Sequence, residues 1–355
     1  MSAPSRTPSA EQLNARKAFY ERIGRQNLAP LWERVKGLVP RAPQPAALPA
    51  HWKYSKVRAS LLQAGALLSA EEAERRVLIL ENPGLAGKSQ ITGSLFSGLQ
   101  LLMPGEKAHA HRHTASALRL FLEGSSAYTA VNGERTIMSR GDFVITPGWT
   151  WHDHGNEGAD PVIWLDGLDV PIVNLFDTSF AEGSEATQIP VSRPERDCEA
   201  RYAGAMLPDN GAGTNSRSSP LLNYRYARAR ENLAAMQRNG PIDACHGVKL
   251  RYANPLTGGP AMPTMSAGVQ LLAQGFETAT YRSTDSTVFV AVEGRGRSQI
   301  GDATFEWAES DVFVAPSWAP QRHCAATEAV LFSFSDRAAQ EKLGIWREQR
   351  TNEPI

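Results

Sequence analysis

The feature that most constrains the fold is an internal repeat. Gly105 and Gly275 stand 170 positions apart, and the same shift carries Glu123-Gly124 onto Glu293-Gly294. After one deleted residue, a shift of 169 carries Asp142, Pro147 and Trp149 onto Asp311, Pro316 and Trp318. Self-similarity at a fixed period is the signature of one structural unit made twice, and 355 residues are enough for two such units. From about Val77 onward the pattern is of short apolar runs rich in Val, Ile, Leu, Phe and Tyr, punctuated by Gly, Pro and Asn-Gly. That pattern predicts antiparallel strands and hairpins. The clearest hairpin is Tyr128 to Val131 followed by Arg135 to Met138, because Asn132-Gly133 accepts the positive φ angles of a two-residue turn. Two small all-β barrels are the expected core.

The flanks read differently. Ser9 with Gln12, and Ser69 with Glu72, have the spacing of a helix-capping serine and a polar side chain that reaches back. The first helix carries Leu13, Phe19 and Ile23, and a second apolar stripe of Leu31, Val35 and Leu38 precedes a proline-rich break from Pro40 to Pro49. These helices are packing or subunit-contact elements. A polar stretch from about Ser184 to Asn215 leads to a helical segment near Asn223 to Met236, the connection between the β units. The expected organisation is a helical region over 1–76, a first barrel over 77–183, a connecting segment with a helix over 184–250, a second barrel over 251–340 and a tail over 341–355.

Lys plus Arg and Asp plus Glu both count 37, so no net field is available to hold a polyanion or an anionic membrane surface. The run Tyr224 to Arg230 interleaves aromatics and arginines, but at zero net charge it reads as a solvated or interface helix and not an RNA contact. The N-terminal residues lack the apolar core of a signal peptide, and no run of about eighteen apolar residues occurs. Cys198, Cys245 and Cys324 are odd in number and unpaired in spacing, which fits a reducing compartment. A cytoplasmic location is expected.

The two copies differ where chemistry would sit. At the repeat shifts His111, His113 and His152 meet Tyr281, Ser283 and Gln321, whereas His154 meets His323. Five of the eight histidines fall between His109 and His154. Alternate residues of a strand share a face, so His109, His111 and His113 can all point into the barrel at about 6.6 Å per two-residue step. Neighbouring imidazoles can converge on one ion, but the outer pair, roughly 13 Å apart, cannot. His109 is therefore expected at the rim, and another strand must supply the third ligand from Pro147 to His154.

Gly105, His111, His113 and Gly124 resemble the first motif of the cupin superfamily, except that Ala117 stands where that motif has a glutamate. Gly141, Pro147, His152 and Asn156 resemble the second motif, which assigns His152 to the metal and leaves His154 beside it. With three neutral nitrogens and no carboxylate, an octahedral ion keeps up to three open positions. The stretches AHRHTASALRLFLEG, TPGWTWHDHGNEG and ERRVLILENPGL closely resemble gentisate 1,2-dioxygenases and their salicylate-cleaving relatives, from about Leu31 to Asp336.

That resemblance implies a bicupin, two double-stranded β-helix (jelly-roll) barrels with N-terminal and inter-barrel helices. It implies one Fe(II) on His111, His113 and His152, a homotetramer, and a small aromatic acid and O2 as substrates. The acid's carboxylate and adjacent hydroxyl would chelate the iron. Arg75 and Arg119 resemble the family's carboxylate-binding arginines, whose planar fork donates two hydrogen bonds. Phe96, Gly98, Gln100 and Asp166 match further pocket positions, and His154 is the implied acid or base, assisted by Arg119. Phe96 replaces the tryptophan of a salicylate-cleaving relative, and Glu71 an additional arginine. The implied reaction is cleavage of gentisate to maleylpyruvate. Salicylate, substituted salicylate or 1-hydroxy-2-naphthoate cleavage, a non-oxidative metal-dependent isomerase or hydrolase, and a ligand-binding cupin remain open.

Overall fold

The structure is a computed structural model that describes residues 8–204, 206–209 and 217–351; the readings that fall on 1–7, 205, 210–216 and 352–355 lie outside them. Two compact units are present, residues 1–44 and 45–355. In the first, Ser9 caps the helix Ala10–Gly24 and Gln12 reaches back to its backbone, as the spacing predicts. A second helix spans Leu31–Leu38, and Tyr20 links the two by donating to Glu33 at 2.7 Å and accepting from Trp32 at 3.0 Å. Neither helix buries a residue.

The larger unit holds four antiparallel sheets, two for each copy of the repeat. In the first copy one sheet runs in the order Asn223–Tyr224, Phe143–Thr146, Ala117–Glu123, Val162–Leu168, Phe96–Leu102, Val77–Ile79. Its partner sheet runs Ala181–Gly183, Lys107–His113, His152–Asn156, Ala127–Val131, Glu134–Ile137. The last two strands are the hairpin read from Asn132-Gly133, with φ of 48° and 80° at the turn. The second copy repeats both sheets strand for strand between Val248 and Thr351, with Ala50–Trp52 added at one edge. Alternation of apolar residues fills the space between, and the central strands Ala117–Glu123 and Thr287–Glu293 are buried on both faces except at their terminal glutamates.

The repeat is longer than the sequence reveals, and its ends are exchanged. Ala50–Trp52 pairs with Val312–Ala315 of the second barrel, and Asn223–Tyr224 pairs with Phe143–Thr146 of the first. The chain then turns into helices Tyr54–Leu67 and Tyr226–Asn239. Tyr54 N–H donates to Asp311 at 2.7 Å, and Tyr226 N–H donates to Asp142 at 2.9 Å. Each helix next ties back to its own copy. Tyr54 and Arg58 bind Glu123 at 2.6 Å, and Tyr226 and Arg230 bind Glu293 at 2.5 and 2.9 Å. Strands of two or three residues carry no readable periodicity, so the exchanged edges escape a pattern search. The expected divisions accordingly cut across structure: a strand lies inside the N-terminal helical region, Val248–Arg251 straddles the start of the second barrel, and Glu348–Thr351 in the tail pairs with Thr280–Ser283.

One apolar core joins the barrels, with Leu99, Leu118 and Ile145 of the first and Val288, Val314 and Phe332 of the second in a single cluster. Phe143 and Phe332 meet across it with ring centroids 5.6 Å apart. The contact is tight at Gly167, where an added Cβ would lie 2.7 Å from the Phe334 ring.

Asp142, 2% exposed, receives Tyr226 N–H, Ser139 N–H at 3.0 Å and Arg225 Nη1 at 2.8 Å. Removing a buried carboxylate that satisfies three donors costs about 3 kcal/mol or more. Asp142→Ala should lower the urea midpoint accordingly with an unchanged slope; a variant as stable as the parent would show that the exchanged arm contributes nothing.

Candidate metal centre and substrate cavity

The metal site is built where two strands of the first barrel lie side by side. Lys107–His113 pairs with His152–Asn156 in the register Ala108↔His154 and His111↔His152, with a shift between the two pairs. This bulge breaks the alternation that would place His109, His111 and His113 on one face. His109 is turned out and exposed, whereas His111 is buried and His113 half-buried. His109 lies at the rim, as expected.

His111, His113 and His152 each offer a ring nitrogen, and these lie within 4.8 Å of one another. Every Nδ1 is already engaged: with the His109 carbonyl at 3.0 Å for His111, the Ala115 carbonyl at 2.7 Å for His113 and the Thr150 carbonyl at 2.9 Å for His152. A carbonyl only accepts, so each Nδ1 carries the proton and each Nε2 keeps its lone pair. Burial disfavours the imidazolium, holding His111 down to about 3 and His113 down to about 4, with His152 lowered strongly as well. The rings are therefore neutral at physiological pH. His152 Nε2 is buried and has no hydrogen-bond partner, a cost that a bound cation removes. Ala117 lies at the cavity wall, 1% exposed, and supplies no carboxylate. The donor set fits a borderline divalent metal with open positions.

Beside the triad is a cavity of about 630 Å³. Arg119 and Asp166 sit directly opposite each other on adjacent strands, with Nε 3.3 Å from Oδ1, both at the cavity wall. Arg119 Nη1 also donates to Thr146 Oγ1 at 2.6 Å, and Trp164 Nε1 donates to Asp166 at 3.1 Å. Burial pulls the Arg119 pKa down to about 10 and pushes Asp166 up to about 6, so both are charged at neutral pH. Gln100 is 2% exposed and its Nε2 has no partner. His154 is buried, with Nδ1 3.0 Å from Thr129 Oγ1 and its ring against Trp164. Arg75 lies at the rim and Phe96 lines the wall.

Gly98 lies between Phe96 and Gln100 and opposite Asp166, and a Cβ there would lie 2.5 Å from Val77 Cγ1, itself at the cavity wall. The side chain of Glu71 is outside the described residues. Thr129 and Thr146, which fix His154 and Arg119, and Asn174 and Phe180, which line the mouth, carry no signal in the sequence. A threonine in a strand and a loop asparagine are indistinguishable from packing and turn residues until the barrel closes.

At the equivalent place the second barrel has Tyr281, Ser283 and Gln321, and among the described residues the first-barrel triad is the one histidine, cysteine or carboxylate cluster able to hold an ion. The fold and site define a bicupin in which, among the described residues, one histidine triad is able to hold a metal ion, and the model of the cupin domain family matches residues 98–169. The chain is 53% identical over 335 residues to gentisate 1,2-dioxygenase 1 of Aquipseudomonas alcaligenes, covering 94% of this chain and 96% of that one. It is 36% identical to a 5-aminosalicylate 1,2-dioxygenase of a Comamonas species, over 94% and 89% of the two. A salicylate 1,2-dioxygenase of Pseudoaminobacter salicylatoxidans, a tryptophan-to-tyrosine variant crystallised with gentisate, superposes with a TM-score of 0.92 at 33% identity, over 99% of both chains. The chain belongs to the gentisate 1,2-dioxygenase family, and it is a ring-cleaving dioxygenase.

Loss of any triad imidazole should empty the site. His113→Ala and His152→Ala should bind less than a tenth of the parent's metal by elemental analysis after Fe(II) loading, and His109→Ala should match the parent. Metal loss in His109→Ala would move the centre.

Proposed function

We propose that the enzyme cleaves gentisate, 2,5-dihydroxybenzoate, with O2 between the carbons bearing the carboxyl and its neighbouring hydroxyl, giving maleylpyruvate, and that it uses one Fe(II) held by His111, His113 and His152. The single observation that carries this reading is the unpaired Gln100 amide, placed in the cavity wall with Arg119 and the carboxylate-free triad. Buried donors without acceptors await a ligand that brings oxygen atoms. When bound, Fe(II) supplies open positions for a bidentate aromatic acid and for O2.

The residues divide the remaining work. Arg119, oriented by Asp166 and Thr146, binds the carboxylate, and Arg75 closes over it from the rim. Gln100 donates to a ring hydroxyl and sets the ring's rotation. His154, neutral because of burial, takes up and returns the hydroxyl proton. Phe96 holds one edge of the ring and leaves room for a second hydroxyl. Gentisate is favoured by the 53% relative, named for that substrate, and by the neighbour crystallised with gentisate.

We infer further a cytoplasmic homotetramer. The cysteines are free, and Leu31, Trp32, Val35 and Leu38 are 58%, 66%, 43% and 64% exposed on a helix that buries nothing of its own, an apolar stripe that a second subunit would cover. No helix of the described residues is long and apolar enough to cross a membrane.

Oxygen uptake after anaerobic Fe(II) loading, measured against gentisate, salicylate, 5-aminosalicylate and 1-hydroxy-2-naphthoate, tests the substrate. Gentisate should give the highest kcat/KM with one O2 consumed per ring; turnover without O2, or indifference to all four acids, would discard the reading. Gln100→Leu should lower kcat/KM for gentisate about tenfold to hundredfold, the effect of losing one hydrogen bond to a charged or chelated ligand.

A further inference from the structure

The second barrel has no counterpart of the triad but has a cavity of its own. It is small, about 60 Å³ against about 630 Å³ in the first barrel. That is room for a few waters or one small organic ion, and it excludes an aromatic ring. Yet its wall is polar and cationic. Lys249 and Gln270 face each other across adjacent strands, so their side chains share the cavity face. Lys249 has no ion-pair or hydrogen-bond partner among the described residues. Gln270, 1% exposed, leaves its Nε2 unpaired.

The third donor is His323, the counterpart of His154. Trp307 Nε1 donates to Ser298 Oγ at 2.9 Å, and Ser298, fully buried, is 2.7 Å from His323 Nδ1. The Ser298 hydroxyl hydrogen still needs an acceptor, and Nδ1 is the one within reach among the described residues, so the hydroxyl donates to it. A neutral imidazole that accepts at Nδ1 carries its proton on Nε2, so His323 presents an N–H where each triad histidine presents a lone pair. The triad positions themselves hold Tyr281, Ser283 and Gln321 in this barrel, so the wall offers hydrogen-bonding groups where the first barrel offers three lone pairs.

Other formal charges line the cavity as well: Arg251, Asp285, whose carboxylate attracts Lys249, and Arg337. Asp285 accepts from Trp346 Nε1 at 2.9 Å and from Thr287 at 3.5 Å, and Arg337 is paired with Glu341 at 2.7 Å. Gln321 has an unpaired Oε1, but rotation of the amide presents its NH2 instead. His246 is kept neutral by burial. Lys249, pulled down to about 8 by burial, remains charged at neutral pH. Counting Lys249 and Arg251 against Asp285, with Arg337 paired to Glu341, the lining keeps one excess positive charge.

We propose that the second barrel binds a small aliphatic monocarboxylate, held by Lys249, Gln270 and His323. Equilibrium dialysis of the iron-loaded enzyme against carbon-14 acetate in chloride-free buffer at pH 7 tests this. Arg119→Met removes the carboxylate-binding cation of the first barrel, and this variant should still bind one acetate per chain in the second. Arg119→Met/Lys249→Met should bind none, while Lys249→Met alone should keep the parent's oxygen uptake. Equal acetate binding with and without Lys249 would overturn the proposal. Gln270→Leu, which replaces an unpaired amide by an isosteric apolar group, provides a reading free of folding effects. In the Arg119→Met background it should weaken acetate at least tenfold, and unchanged affinity would also overturn the assignment.

Discussion

Three imidazoles are kept neutral and aimed by their own backbone, and the rest of the first barrel is arranged so that this is possible. A carbonyl oxygen holds each Nδ1–H, at 2.7 to 3.0 Å, so the ring orientation and the tautomer are set before any ligand arrives. Burial between two sheets then makes protonation unfavourable, which keeps all three lone pairs available. The price is an unpaired buried nitrogen on His152, and a metal relieves it.

The same low-dielectric interior shapes the substrate side. Asp166 and Arg119 face each other across a strand pair at the cavity wall, each partly offsetting the cost of burying the other's charge. Phe96 and Arg75 line a cavity of about 630 Å³, of the size that holds a small organic ligand. Rigidity comes from the neighbouring barrel. Phe334 presses on Gly167, the residue after Asp166, and the exchanged strands tie each sheet to the other copy. The second barrel, with Tyr281, Ser283 and Gln321 at the triad positions, thus buttresses the first.

Much of this was legible in the chain. The repeat shifts of 170 and 169 announced two related units, the Asn-Gly turn located a hairpin to within a residue, and the loss of histidines from one copy separated the chemical barrel from its partner. Other features were not. His109 matched the strand alternation and was removed from the inner face by a bulge, which depends on how the neighbouring strand aligns. The two- and three-residue edge strands, and the threonines that orient Arg119 and His154, have no local pattern at all.

The sequence by itself determined which residue types were available and at what spacing: a duplicated β unit, three imidazoles without a carboxylate at Ala117, and arginines near them. Spacing along a strand fixes faces, and repetition fixes kinship, because both are properties of the covalent chain. Only the tertiary structure decided which nitrogen of each ring is free, which carboxylate meets which guanidinium, and which barrel receives which edge strand. Those outcomes turn on contacts between residues tens to hundreds of positions apart, where a bulge or a single hydroxyl redirects a proton or a side chain. No period in the chain encodes them.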